Sequence, residues 1–231
     1  MWGLLSLALG ELLAPSRCAA CDERVAPNRA FCAACAASVD VLTGGPVGAG
    51  PVTWAFGRYE GALARAVRRL KYEKRSDLAR PLGGLLARVE LPFSPQDLWG
   101  LVPVPTTQSR LRERGFNQAA LLANELGRRW GVRSRPLVLG RRGEAKAQAG
   151  LGVGERAANL AGAFRAAPTR GAGAPKVVLI DDVRTTGNTL AEASAGLVGA
   201  GYVVVGAVVV AHTPRHDGKG KCHPPSPGEV G

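Results

Sequence analysis

The fold is decided by Val177-Val178-Leu179-Ile180-Asp181-Asp182-Val183-Arg184-Thr185-Thr186-Gly187-Asn188-Thr189-Leu190. Lys176 to Ile180 reads as a compact apolar strand, and an unbroken apolar run of this kind suits a strand covered on both faces. It delivers two carboxylates into a hydroxyl-rich loop, after which Asn188 to Gly199 reads as a helix. A strand, loop and helix in that order can bind a sugar phosphate. Backbone N–H groups at the helix start and the hydroxyls of Thr185, Thr186 and Thr189 suit a phosphate, while Gly187 allows close approach of the backbone. Asp181 and Asp182 can accept hydrogen bonds from ribose hydroxyls or help to position Mg²⁺. With Arg184 and Asn188, these residues form the candidate phosphate site; the bland alternative is a turn whose Asp and Thr side chains only cap the helix.

Outward from this unit, strand-like and helical segments alternate. Val52 to Tyr59 and Leu98 to Val104 read as strands, the second leading through Pro103 to Pro105, and Val203 to Val210 reads as a third. Gly61 to Tyr72, Ser76 to Val89 and Phe116 to Trp130 read as helices, with a loop-rich region from Arg141 to Ala163. That order predicts an α/β fold: a mostly parallel sheet with helices on both faces. Hydrophobic residues make up 46% of the 231-residue chain but aromatics only 5%, so the core must be built from Val, Leu and Ala. The domain reading is an N-terminal helix and cysteine module over 1–43, a Gly/Pro-rich linker over 44–51, the α/β domain over 52–212 and a disordered tail over 213–231.

Cys18, Cys21, Cys32 and Cys35 are spaced C-x2-C-x10-C-x2-C, with Pro27 and Asn28 as turn formers between the pairs. Two such knuckles complete a tetrahedral S4 shell suited to Zn²⁺, and four protein ligands leave no open position, so the zinc is expected to be structural. Redox-active or merely buried pairs are the alternative. Cys222 and His223 lack partners at useful spacing. Thiolate pairs fit a reducing cytosol better than a disulfide framework. The leucine-rich start has no basic n-region and Glu11 interrupts it, and no apolar run reaches the length of a membrane span.

A formal net charge of +12 points to an acidic partner. Residues 58–88 carry nine Lys/Arg against three acidic residues and 110–146 carry ten against three, so both flanks of the expected cleft are basic. On a helical wheel Leu63, Ala66, Val67 and Leu70 share one face, while Arg65, Arg68, Arg69 and Tyr72 share the other. With Lys71, Arg112 and Arg114 these are candidate contacts for single-stranded DNA, for which a cationic groove with an aromatic platform is suited. A solvated charged face is the alternative.

The stretch from Asp181 to Thr189 resembles the 5-phosphoribosyl-1-diphosphate (PRPP) signature of type I phosphoribosyltransferases, an acidic pair followed by x-x-TTGxT, with Arg184 a charged departure inside it. Further stretches narrow the resemblance to the ComF family of competence proteins: Leu70-Lys71-Tyr72, Val102-Pro103-Val104-Pro105, Leu111-Arg112-Glu113-Arg114-Gly115-Phe116-Asn117-Gln118, and Gln148-x-x-Leu151 with Arg156-x-x-Asn159 and Gly162-Ala163-Phe164. The resemblance implies that Pro105, Thr106 and Thr107 handle the pyrophosphate end of PRPP, that Ala145 to Arg156 belongs to a covering loop, and that Mg²⁺ accompanies PRPP. It also implies a role in natural transformation, with imported single-stranded DNA received in the cytosol and a ComFA-type helicase and DprA as partners. Three functional readings remain open: a DNA-handling competence protein with a PRPP-type pocket, an active phosphoribosyltransferase with an unknown nitrogenous acceptor, and a zinc-ribbon scaffold with a degenerate pocket.

Overall fold

The computed structural model describes residues 16–43, 45–48, 50–141, 162–169 and 173–214. Most of the expected N-terminal helix and tail, the expected covering loop Ala145 to Arg156 and the motif stretch from Gln148 to Asn159 lie outside these residues. Four strands form one parallel sheet in the order β1 (Thr53–Arg58), β6 (Val203–His212), β5 (Lys176–Arg184) and β2 (Gly100–Pro103). Its register runs through Ala55↔Val209, Leu179↔Ala207 and Val102↔Leu179. A short antiparallel pair, β3 (Leu139–Arg141) and β4 (Phe164–Ala166), stands apart from it. The fold is therefore α/β with a mostly parallel central sheet.

Period-two alternation divides the core. Val178, Ile180, Val208 and Val210 pack on one face with α2 (Gly61–Tyr72), α3 (Ala79–Leu86) and α5 (Gln118–Trp130), through side chains such as Leu63, Leu82 and Leu122. Val177, Leu179, Ala207 and Val209 face the other way, onto Leu190, Ala193 and Leu197 of α6 (Asn188–Val198) and onto Leu139 and Phe164. Covering both faces explains the unbroken apolar runs Val177 to Ile180 of β5 and Val203 to Ala211 of β6. Each fully buried leucine on these helices contributes roughly 1.5–3 kcal/mol, which outweighs the weak intrinsic preferences of the short helices.

Three local differences from the sequence reading have physical causes. β5 continues through Asp181 to Arg184, because the backbone of this segment pairs with Val209 to His212 of β6; the acidic pair is thus held on a strand, not in the loop. A seven-residue helix, α4 (Gln108–Arg114), was not expected, since its only large apolar side chain, Leu111, is itself exposed and leaves no hydrophobic period to read. It is started by Thr107, whose Oγ1 accepts the Arg110 N–H at 3.3 Å, and ended by Gly115. The helix expected over Ser76–Val89 begins as a 3₁₀ turn at Ser76–Leu78 and becomes α-helical only at Ala79, with Pro81 accommodated in its first turn.

The cysteine segment, which includes the one-turn helix α1 (Ala33–Ala36), packs on this body. Cys18, Phe31, Cys32 and Cys35 share the same apolar cluster as α2. Ser38 ties the two together: its Oγ accepts the Ala62 N–H at 3.1 Å while donating to the Cys35 carbonyl at 2.9 Å. Gly61 permits this approach, for a Cβ there would lie 2.1 Å from the Ser38 carbonyl oxygen. Among the described residues no helix is long and apolar enough to cross a membrane.

Candidate functional site

A cleft of about 440 Å³ opens beyond the carboxyl ends of β2 and β5, where open parallel sheets bind their ligands. Its floor carries Asp181 and Asp182 with Thr185 and Thr189, and Pro105 and Thr106 after β2 form the neighbouring edge. Gly187 sits left-handed at φ +84°, and a Cβ there would meet the Arg184 guanidinium at 2.7 Å. Arg184 explains its unusual place in the loop sequence: only 2% exposed, it lies beneath the turn, against Gly187 and Gly48, and does not project into the cleft. Thr186 accepts the Asn188 N–H at 3.4 Å, a turn contact, and neither residue lines the cleft. Thr107 is likewise spent on capping α4, so of the three residues expected to handle pyrophosphate only Pro105 and Thr106 reach the cavity.

The two carboxylates differ. Lys71 Nζ reaches Asp182 Oδ1 at 2.7 Å, with the side chains 17% and 4% exposed, so this ion pair is largely withdrawn from water. Asp182 Oδ2 has no hydrogen-bond partner among the described residues. Burial, and then the adjacent Asp182 charge, push the Asp181 carboxyl up to about 7, although the Asp182 N–H donates to its Oδ1 at 2.8 Å. The floor thus presents one paired carboxylate and one poised to exchange a proton near neutrality.

The residues expected to contact DNA separate into three groups. Arg68 and Arg112 are exposed. Lys71, Tyr72 and Arg114 line the cleft, with the Arg114 guanidinium 5.1 Å from the Tyr72 ring centroid. Arg65 and Arg69 turn to the cysteine module: Arg65 approaches Cys35 Sγ at 3.7 Å, and Arg69 pairs with Asp22 and Glu73 and donates to the Ala19 carbonyl at 3.2 Å. The helical wheel correctly removes Arg69 from the packed face of α2, but its side chain is only 11% exposed because the cysteine module covers it. A wheel does not reveal what another segment lays over a helix.

Sequence reasoning missed Tyr59, Arg110 and Arg141 as cleft residues, and named Asn117 and Gln118 without assigning them a place. Asn117 Nδ2 donates to the Val104 carbonyl at 3.1 Å and its Oδ1 accepts the Ala119 N–H, so it caps α5 while fixing the end of β2. Arg110 and Arg141 lay within the basic segment already noted, but nothing in its pattern distinguishes cations that face the cavity from solvated ones.

The four cysteine Sγ atoms all lie within 4.8 Å of one another. Cys21 Sγ and Cys32 Sγ are 3.8 Å apart, the edge of a tetrahedron with metal–sulfur bonds of about 2.3 Å and far beyond a disulfide bond. Left-handed Asp22 and Asn28 make the turns that bring the knuckles together. Burial raises the Cys18 thiol, but backbone donors at Cys32, Ala20 and Cys21 prevail and bring it down to about 7. This is a fitting donor set for a structural zinc ion, with Arg65 supplying an outer contact to one sulfur.

No family model matches the chain. It is 30% identical over 214 residues to the DNA utilization protein YhgH of Escherichia coli K12, a match covering 87% of this chain and 91% of that protein. It is 31% identical over 150 residues to Competence protein F of Haemophilus influenzae, covering 60% of this chain and 63% of that relative, which is less than two thirds of its length. A match to YhgH of Salmonella typhi is 32% identical over 156 residues, 64% of this chain and 66% of the relative.

Proposed function

Because this chain belongs to the ComF family, we propose that it acts in DNA uptake and use during natural transformation, handling single-stranded DNA in the cytosol while holding a phosphoribosyl ligand such as PRPP in its cleft. The observation that carries the ligand reading is the convergence of Asp181, Asp182, Thr185 and Thr189 with Arg110 and Arg141 in one cavity at the carboxyl ends of parallel strands. A phosphate would sit against the loop and the start of α6, as anions do at helix N-termini. The carboxylates would accept from ribose hydroxyls, and Arg110, Arg141 and Thr106 would receive a diphosphate. Mg²⁺, if it accompanies PRPP, would be carried chiefly by the diphosphate and Asp181, because Lys71 already neutralises Asp182. For DNA, Arg68 and Arg112 supply exposed phosphate contacts and Tyr72, 64% exposed, an aromatic surface at the cleft mouth. A ComFA-type helicase and DprA are the proposed protein partners by family.

A second reading, phosphoribosyl transfer to a nitrogenous acceptor with release of pyrophosphate, is favoured by the cations that line the cleft with the carboxylates, since such a reaction needs fixed donors for the departing diphosphate. Calorimetric titration of the zinc-loaded protein with PRPP, with and without Mg²⁺, followed by a short single-stranded oligonucleotide, tests both sites on one sample. Saturable PRPP binding weakened more than tenfold by Gly187→Ala is the expected outcome; no PRPP binding under either condition would remove the phosphoribosyl reading.

A further inference from the structure

The last turn of α2 brings Lys71 onto the acidic pair: its Nζ lies 2.7 Å from Asp182 Oδ1, and the two side chains are 17% and 4% exposed. The other Asp182 oxygen exposes less than 1 Å². One oxygen of Asp182 is thus held by an ammonium and the other is sealed from the cleft. Asp181 is the remaining carboxylate, and its Oδ1 already accepts the Asp182 N–H at 2.8 Å. Around this floor the cleft sets four cations, Lys71, Arg110, Arg114 and Arg141, against the two carboxylates. Mg²⁺ asks for nearly the reverse: it dehydrates reluctantly, needs a near-octahedral shell of oxygens, and is usually held by one or two carboxylates together with substrate phosphates. To reach Asp182 it would have to displace Lys71 from a pair largely withdrawn from water, where charges interact strongly, and do so beside three arginines. The residues of the floor therefore do not fit a resident divalent cation.

We propose that Lys71 stands in for a metal at the acidic pair, so that the cleft takes a phosphorylated ribose as a metal-free monoester and a divalent cation enters only on a ligand that brings its own diphosphate. The inference rests on the phosphoribosyl reading of the cleft and deepens it by naming the class of ligand that binds without metal. Lys71 is a positioning residue: it balances the Asp182 charge and fixes that carboxylate, leaving the second lone pair of Oδ1 to accept from a ribose hydroxyl. Because the ammonium is carried on α2 and the carboxylate on β5, the counterion is built into the packing of helix on sheet and is present before any ligand arrives.

The test is calorimetry of ribose 5-phosphate, a monoester with no diphosphate, on the zinc-loaded full chain with and without added Mg²⁺, beside a Mn²⁺ titration followed by electron paramagnetic resonance. In the parent, ribose 5-phosphate affinity should change less than twofold on adding Mg²⁺, and no Mn²⁺ should bind in a way that Asp182→Asn abolishes. Lys71→Met, assayed below its unfolding transition, should lose metal-free affinity several-fold and regain most of it with Mg²⁺. Lys71→Arg, which keeps the charge, should stay indifferent to the metal. A lysine that served packing alone would not create metal dependence when removed. Parent affinity that rises twofold or more with Mg²⁺, or Mn²⁺ binding lost in Asp182→Asn, would overturn the inference while leaving the phosphoribosyl reading intact, and both measurements decide without Lys71→Met should that variant not fold. A folded Lys71→Met whose binding does not respond to Mg²⁺ would overturn it as well. Failure of ribose 5-phosphate to bind the parent under either condition would overturn the phosphoribosyl reading and the inference with it.

Discussion

Replacing Lys71 with Met keeps the length and apolar stem of the side chain but removes the charge that faces Asp182 at 2.7 Å. The Asp182 side chain is 4% exposed and its second oxygen is already unpartnered, so the variant would leave a carboxylate with no compensation inside the protein. Two unit charges about 4 Å apart at an effective dielectric near 20 interact by about 4 kcal/mol, and breaking a buried pair from one side costs about 3–5 kcal/mol. For a chain of this size each kcal/mol moves the midpoint by roughly 2–4 °C, so a cost of 4 kcal/mol gives a fall of about 8–16 °C. The double variant Lys71→Met with Asp182→Asn removes both charges and is expected to recover more than half of that loss, because the penalty comes from the orphaned charge and not from the missing contact. Thermal unfolding followed by circular dichroism in constant excess zinc, on the parent, both single variants and the double, closes the cycle. A drop of under 2 °C for Lys71→Met, or a double variant whose loss equals the sum of the singles, would refute the reasoning.

Cys18→Ser or Cys32→Ser is expected to lower bound metal well below one zinc per chain and to make the N-terminal segment protease-sensitive, measured by elemental analysis and limited trypsin digestion; full occupancy in both variants would end the zinc assignment. Gly187→Ala forces a side chain onto a left-handed residue and toward the Arg184 guanidinium at 2.7 Å, and should weaken phosphoribosyl binding more than tenfold by calorimetry, with an unchanged affinity counting against the loop. Asp181, whose carboxyl titrates near 7 when folded and at about 3.9 when unfolded, favours the folded state below the lower value, and this contribution is lost as pH rises toward and through 7. The melting temperature of the parent should therefore fall, relative to Asp181→Asn, between about pH 5 and pH 8; parallel profiles would contradict the raised value. For DNA, Arg68→Ala and Arg112→Ala should each flatten the log–log salt dependence of single-strand affinity by roughly 0.7, whereas Arg69→Ala should mainly lower the melting temperature. Salt slopes that do not change in the first two variants would leave their arginines as a solvated surface.

The central sheet and its covering helices are legible because their signals are local and repeated: valine-rich apolar runs at Val177 to Ile180 and Val203 to Val210, and an apolar stripe on α2 that burial follows at Leu63, Ala66, Val67 and Leu70. The spacing of four cysteines likewise foretells their convergence. What stays hidden is side-chain destination. Thr107 and Thr106 are neighbours of the same chemical type, yet one caps a helix and the other faces the cleft. Arg68 and Arg69 are adjacent, and the approach of the cysteine segment, with Asp22 from 47 residues upstream and the Ala19 carbonyl, together with Glu73, separates an exposed cation from a fixed one. The β3–β4 pair is illegible for a plainer reason: three-residue strands do not carry enough alternation to be read.

The clamping of α2 has a consequence for how the chain can vary. The cysteine module grips this helix at its start through Ser38, midway through Arg65 against Cys35, and near its end through Asp22 on Arg69; Asp22 then spans to Arg75 just beyond. Beyond the buried Leu70, the last two side chains of the helix are Lys71 and Tyr72, which line the cleft. The module therefore behaves as an alignment jig for one wall of the binding site, and a change at any of its clamps should be inherited together with a compensating change on α2. A module transplanted from a distant relative without its own α2 should bind zinc normally and yet leave the cleft out of true.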